Sequence, residues 1–418
     1  MKQCLSLLAI CLLFTACTSP VPGEAESNAV SAVTLPASDG ETETIEYMSE
    51  KHPYGSGNDS GYYYLTNLED GHSLIRYIDF ETRQDIPLCS QPNCTHSDEK
   101  CPAWIHYGGT TVNVFATNDR LFICFNGSPW DSWVYETYGE QALPRVLTCA
   151  LDGSGRKELV RFDASDAFST MPATDGRVFY TIVTSYDNAQ EDPKVEIVAV
   201  DLASGNKSAY DVVQRREPSI IGANGRELIL ESPGVSGLTV YDAYHVDTRQ
   251  LRSLYNGDQP VSACCQDGVL YLLETDTGVI RQISLEDGEE TTIFTDLLNN
   301  NRLSWMQLAA VSKKGYIVQA KTDEGYCNFL VDLSGKATKQ QLYAESSDPR
   351  DKMRMLNVFA QQGEKYLVSP SRTFHTVRMP GLDGVSYGID EINYTFALIS
   401  QEDFWSSTPN YLAVSKLQ

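Results

Sequence analysis

FATNDRLFI (Phe115–Ile123) sets the architecture because it recurs. A strand ends on a small residue, a tight turn of Asn, Asp, Gly or Lys follows, and a run of large apolar residues begins. The same plan is read in PATDGRVFYTI from Pro172, IGANGRELIL from Ile221, ACCQDGVLYLL from Ala263, AAVSKKGYIV from Ala309 and FAQQGEKYLV from Phe359. A looser copy, GSGNDSGYYYL, starts at Gly55. Aligned on Ala116, Ala173, Ala223, Cys264, Ala310 and Ala360, the copies repeat every ~40 to 57 residues, the spacing of a propeller blade.

Working outward, each copy is followed by a second phrase, a strand that ends in an Asp-type turn and leads into another strand. It reads LIRYIDFETRQDIPL from Leu74, RVLTCALDGSGRKELV from Arg145, EIVAVDLASGNKSAYDVV from Glu196, AYHVDTRQLRSLY from Ala243, IRQISLEDGEETTIF from Ile280 and FLVDLSGKATKQQLY from Phe329. FALISQEDFW from Phe396 is a weaker seventh. Asp, Gly and Ser suit such turns because they tolerate positive φ or cap their own backbone. Two hairpins per period make a four-stranded blade, and no stretch sustains a helical period. The reading is an all-β propeller of seven blades, beginning near Gly61, Thr111, Phe168, Ser219, Pro260, Ser304 and Leu356, with six or eight blades also compatible. A terminal strand should close the ring, either ETIEYMS near Glu43 or NYLAVSKL at the C-terminal end, since an open ring exposes two edges.

The N-terminus reads as an address. Lys2 precedes an apolar run from Leu5 to Ala16 that is too short to span a bilayer, which takes roughly 20 residues. Cys17 follows Ala16 in the phrase FTAC, which resembles the lipobox of bacterial lipoproteins and implies acylation of Cys17. Residues 1–16 are then a signal peptide, and 17–43 a lipidated cysteine and a Ser-, Thr-, Pro- and acid-rich tether without a core. Residues 44–418 form the propeller, with a Cys/His insertion at 89–110.

Connections between second and third strands, and links between blades, open on one face of a propeller. Three are long: Cys89–Thr110, Gly127–Pro144 in blade 2 and Pro370–Glu391 in blade 7. Blades 7, 1 and 2 are neighbours in a closed ring, so these excursions are expected to gather over one sector, where long loops commonly serve function. The blade 2 loop offers Trp130, Trp133, Tyr135 and Tyr138, rings that suit sugar faces, peptides or partner proteins or pack onto the blade beneath. The blade 7 loop offers His375 and Arg378.

LCSQPNCTHSDEKCPAW from Leu88 spaces Cys89, Cys94, His96 and Cys101 as C-x4-C-x-H-x4-C. Three thiolates and an imidazole suit a closed, structural zinc site. A disulfide with one unpaired thiol fits an exported chain equally, inert thiols remain open, and His106 can replace His96. Cys124 and Cys149 lie in consecutive strands and can face each other.

Of the 418 residues, 56 are acidic and 32 basic, a formal charge of −24. That excludes nucleic acid, whose phosphates need clustered cations, and adhesion to anionic lipid, so membrane contact runs through the anchor alone. The mature region as a whole resembles bacterial surface lipoproteins that carry a TolB-like or receptor-type β-propeller, and the CSQPNCTH phrase with CPA after it is similar to one found in them. With the lipobox, that resemblance implies an extracytoplasmic module held at the cell membrane, and the expected state is a monomer. No nucleophile phrase, phosphate loop or paired metal motif is present. The balance therefore leans away from an enzyme and toward a module that binds a glycan, peptide or envelope protein through the loops of blades 7, 1 and 2. The alternative is a carbohydrate-active hydrolase or lyase using carboxylates of the propeller channel.

Overall fold

The computed structural model describes residues 44–417 apart from 50–54, 69–71, 107–108, 169–170, 187–192, 212–216, 235–237, 258, 296, 298–302, 350, 352 and 381–385. The chain divides after Ala37 into two units, and the first, with Cys17, lies outside the described residues, as does the rest of the tether. The second unit is a seven-bladed β-propeller: seven sheets, antiparallel apart from two short parallel pairings, follow one another along the chain, each with a meander of four strands. First strands of neighbouring blades lie against one another around the axis.

The blades hold together face to face. One apolar cluster joins Ile75 and Trp104 of blade 1 to Leu121 and Ile123 of blade 2, and another joins Leu272 and Ile283 of blade 5 to Ile229 and Tyr241 of blade 4. Tyr62, Tyr64 and Ile78 of blade 1 pack on Phe359 and Phe396 of blade 7, which closes the circle. A strand between two such faces is apolar on both sides, and this explains runs such as Leu121–Phe125 and Val178–Ser185 that do not alternate. The chain turns tightly where a capping side chain takes over from the ladder. Asp332 Oδ1 accepts the Ser334 and Lys336 N–H groups, at 2.9 and 3.0 Å, and Asp201 Oδ1 accepts that of Ser204 at 2.7 Å.

Blade 1 starts one strand earlier than expected. Its first strand is Gly55–Gly57, and Gly61–Asn67 is its second. A Gly-Ser-Gly strand has no apolar signature, yet glycine is required there, because a Cβ at Gly55 would come within 2.7 Å of the Tyr62 hydroxyl. The same blade has a split fourth strand. Gln84–Pro87 covers the lower half of Ser73–Asp79 and Trp104–Ile105 the upper half. At the break, Leu88 N–H donates to the Ile75 carbonyl at 2.9 Å, and Ile75 N–H donates to that of Ala103 at 2.8 Å. The Cys/His insertion therefore bulges from the outer edge of blade 1. This corrects its expected place as a loop over the face; only its final part, at Gly109, reaches the blade 2 excursion, where Val134 and Tyr138 crowd it.

The other two excursions also gained structure that their sequences hid. In blade 2 a short helix, α1 (Ser132–Tyr138), is stopped by Gly139 at φ 57 and followed by a 3-10 turn. In blade 7 the second and third strands run on as a long hairpin, Lys365–Pro380 against Ser386–Ser400, with a register shift between Val368 and Ser371. Pro370 sits in that bulge, where a residue without an N–H is tolerated.

Both ends of the described residues join the ring. Glu46–Tyr47 pairs with Ala173–Thr174, the first strand of blade 3, and so lies on the axial side. Ile45 and Met48 beside it are buried. At the other end Leu412–Ala413 supplies the fourth strand of blade 7, and Ser415–Lys416 continues alongside Gln84–Asp85 of blade 1. Of the two candidates for closure, the C-terminal strand does it. Arg76 fastens the seam: Nε donates to Asp85 Oδ1 at 2.8 Å and Nη2 to the Leu417 carbonyl at 2.7 Å.

Candidate functional site

Cys89, Cys94, His96 and Cys101 come together at the edge of blade 1, their four ligand atoms all within 4.8 Å of one another. The chain reaches this geometry through Asn93 and His96, both in the left-handed region at φ 58 and 54. His96 Nδ1 lies 3.2 Å from Cys101 Sγ, and the His96 N–H donates to Cys94 Sγ at 3.4 Å. That N–H draws the Cys94 thiol below its ordinary range, while burial pushes Cys101 up to about 12. Tetrahedral zinc with Zn–S bonds of about 2.3 Å needs thiolates roughly 3.8 Å apart, and the donor set fits. The cluster can hold a structural metal such as zinc, and four protein ligands close the shell to substrate. His106 is not part of it; its ring stands edge-on to His72 and Trp104. Blade 2 grips the stalk of the insertion, since Arg156 donates to the carbonyls of Trp104, at 2.9 Å, and Pro102.

The aromatic set of blade 2 is divided. Trp130 is 66% exposed and meets Tyr186 of blade 3 edge-on at 5.6 Å. Trp133 and Tyr138 sit half-buried 6.4 Å apart on α1, and the Tyr135 hydroxyl accepts the Ser128 N–H at 3.0 Å. In blade 7 His375 is engaged by its partner strand, Nε2 being 3.4 Å from Glu391 Oε2 and Nδ1 3.0 Å from Asn393 Nδ2. Glu391 in turn accepts the Asn67 N–H of blade 1 at 3.2 Å. Arg378 is paired with Gly388, and its side chain lies outside the described residues. Cys124 and Cys149 do not face each other. Neither is in a disulfide, and they point to opposite faces of the blade 2 sheet, Cys124 toward Phe179 of blade 3 and Cys149 toward Ile75 of blade 1.

A cleft of about 690 Å³ that the motifs do not mark opens across blades 4, 5 and 6. Its lining joins Glu231 near the end of the second strand of blade 4, Val261–Ala263 at the start of blade 5, Thr275 and Asp276 in that blade's second-to-third-strand loop, and Leu303–Gln307 at the start of blade 6. All of these are ends that face the loop side of the ring, on the sector away from the long excursions. Trp305 is 39% exposed there, its indole held edge-on by Tyr326 at 5.7 Å. Burial raises the Glu231 carboxyl above the ordinary range, only partly offset by a hydrogen bond from Tyr241 behind it. A carboxyl whose charged form is disfavoured by burial, a second carboxylate in the same wall and a flat ring beside them can protonate a leaving oxygen, orient a water and seat a sugar. The residues lie 45 and 74 positions apart counted from Glu231 to Asp276 and Trp305. No local pattern links them; only the ring does.

No family model matches the sequence, and no curated protein matches it either. Solved structures share the fold. A structure of two prolyl endopeptidases is similar at 10% identity and a TM-score of 0.51, over 86% of this chain and 55% of that one. A puromycin-hydrolyzing peptidase of Mycobacterium tuberculosis is similar at 12% identity and a TM-score of 0.48, over 90% and 54%. TolB from Acinetobacter baumannii is similar at 12% identity and a TM-score of 0.36, over 81% and 76%. The chain spans about half the length of the two peptidases. At these identities the likeness shows the propeller. It also corrects the leaning away from an enzyme: the fold is one that a prolyl endopeptidase structure shares at a TM-score of 0.51, so the propeller gives no ground for that leaning.

Proposed function

We propose that the chain is an extracytoplasmic, lipid-anchored hydrolase of glycosidic bonds that works in the cleft of blades 4 to 6. The observation that supports it is the meeting of Glu231, Asp276 and Trp305 in one cavity. Glu231 gives its proton to the glycosidic oxygen as the bond to the anomeric carbon breaks. A water adds its oxygen to that carbon and its proton passes to Asp276, which releases it to solvent while solvent restores the proton on Glu231. Trp305 stacks on the sugar that stays. The Cys3His cluster, at the rim, keeps blade 1 together and takes no part in bond cleavage.

The test is product release from an oligosaccharide panel by the full chain and by Glu231→Gln. Loss of about 100-fold or more in turnover, the usual scale for a general acid, is expected of the variant. Equal turnover by both proteins overturns the reading. The anchor is tested separately: wild type should incorporate labelled fatty acid in a bacterial host and Cys17→Ala should not, with the variant released from the membrane fraction.

A further inference from the structure

A groove of about 620 Å³ lies between blades 2 and 3, outside the cleft of blades 4 to 6. We infer that it is a glycan-binding site, with Trp130 and Tyr186 as the platform for one sugar ring, and that it holds a chain where the cleft cuts one. Its walls come from the link between the two blades, at Phe162 and Asp166, and from the second and third strands of blade 3, at Val183, Ser185 and Glu196. Tyr186 also lines it, and the Trp130 ring stands 5.6 Å from the Tyr186 ring at 89°. The two rings therefore make a right-angled corner beside the groove. Trp130 belongs to the blade 2 excursion and is two-thirds exposed, so the corner leaves an indole face in water. The C–H face of a sugar covers such a ring while its hydroxyls keep their hydrogen bonds.

The polar groups of the groove suit those hydroxyls. Lys194 Nζ lies 2.7 Å from Glu196 Oε1, which sets a donor beside an acceptor. Of two neighbouring sugar hydroxyls, one can then donate to the carboxylate while the other accepts from the ammonium. Beneath them Val183, Val198 and Phe162 give an apolar floor, and the Lys207 ammonium is held 4.5 Å from the centre of the Phe162 ring. The walls are fixed in advance. The Ser185 hydroxyl donates to Asp166 Oδ1 at 2.6 Å, the Asp163 N–H to Oδ2 at 3.1 Å and the Tyr186 N–H to the Ser165 carbonyl at 2.8 Å. A peptide would commonly enter by adding a strand to an open edge. Here Ser185 is already paired with Asp166 on one side and Lys194 on the other, and Val198 with Thr181 and Ala209. Recognition falls to side chains and rings, which favours a glycan.

The experiment titrates the full chain by calorimetry with oligomers of glucose, xylose, N-acetylglucosamine and galacturonate, and with a tryptic digest of casein. The protein carries Glu231→Gln and Trp305→Ala, so that neither cleavage nor stacking in the cleft of blades 4 to 6 contributes. At least one oligosaccharide should bind. Adding Trp130→Ala should weaken that binding about tenfold or more, and adding Lys194→Ala instead about threefold. Both side chains are largely exposed, at 66% for Trp130 and 58% for the Lys194 side chain, and unchanged melting temperatures check that the variants fold. If no oligosaccharide binds, if Trp130→Ala binds as tightly as its parent, or if only the casein digest binds, the inference falls. The reading of the cleft is judged by product release, so either can fail alone: binding that depends on Trp130 without any cleavage leaves the groove and removes the hydrolase, and cleavage without such binding does the reverse.

Discussion

Glu231 is a residue whose environment works against its own charged form. Burial raises its carboxyl, so the sign is fixed: any stability it contributes is complete below the unfolded value near 4.3 and is lost as pH rises through the folded value. Glu231→Gln should therefore melt higher than wild type at pH 7, and the difference should vanish below pH 4, while turnover is lost. Differential scanning calorimetry at the two pH values checks it. Activity that needs the protonated acid should fall on the alkaline limb as that carboxyl ionises. Arg76 is the opposite kind of residue. Its guanidinium and the Asp85 carboxylate are both nearly inaccessible and paired at 2.8 Å, so Arg76→Ala leaves a buried charge alone and should cost about 3–5 kcal/mol in urea unfolding.

At the scale of elements, the split outer strand of blade 1 explains where the metal-ligand cluster stands. Cys89 and Cys101 lie on the two stalks of the insertion, next to the ends that Ile75 holds together, so a bound ion would staple a broken strand. Purified, reduced protein should carry about one zinc per chain. Cys101→Ser should weaken binding by more than about 100-fold, since even residues that merely orient ligands are worth 10–100-fold. In metal-free protein, hydrogen exchange should quicken at residues 84–88 and 103–105 and spread to 412–417 through the shared edge of Gln84–Asp85. Much of this scale was legible beforehand. The period and the Asp and Gly turns pointed to seven blades over six or eight, and to most of their first strands, because a two-residue turn has strict local chemistry. What escaped were pieces without local chemistry: Gly55–Gly57, too small to look like a strand; Trp104–Ile105, separated by the insertion from the strand it completes; and α1, too short for a period. The hairpin of blade 7 was hidden by Pro370, which breaks a strand only where its N–H is needed.

For the molecule as a whole, the ring carries its long excursions on blades 7, 1 and 2 and keeps its cleft on blades 4 to 6. The cleft could not be read from sequence, because its walls belong to three blades and meet only after closure. The strand Glu46–Tyr47 on the axial side makes residues 44–48 part of the folded body. Ile45→Ala and Met48→Ala, at residues 3% and 2% exposed, should each cost roughly 2–5 kcal/mol, measured by equilibrium unfolding. The other end of the chain has a different character. Ser415 and Leu417 donate to the carbonyls of Arg83 and Asp85 across a seam made by only a few residues, after α2 (Gln401–Trp405) and a turn have brought the chain round. Such a tail is a detachable key. A version ending at Pro409 should remain an open horseshoe that a synthetic peptide of Asn410–Gln418 can lock, which turns closure of the propeller into a titratable, bimolecular event.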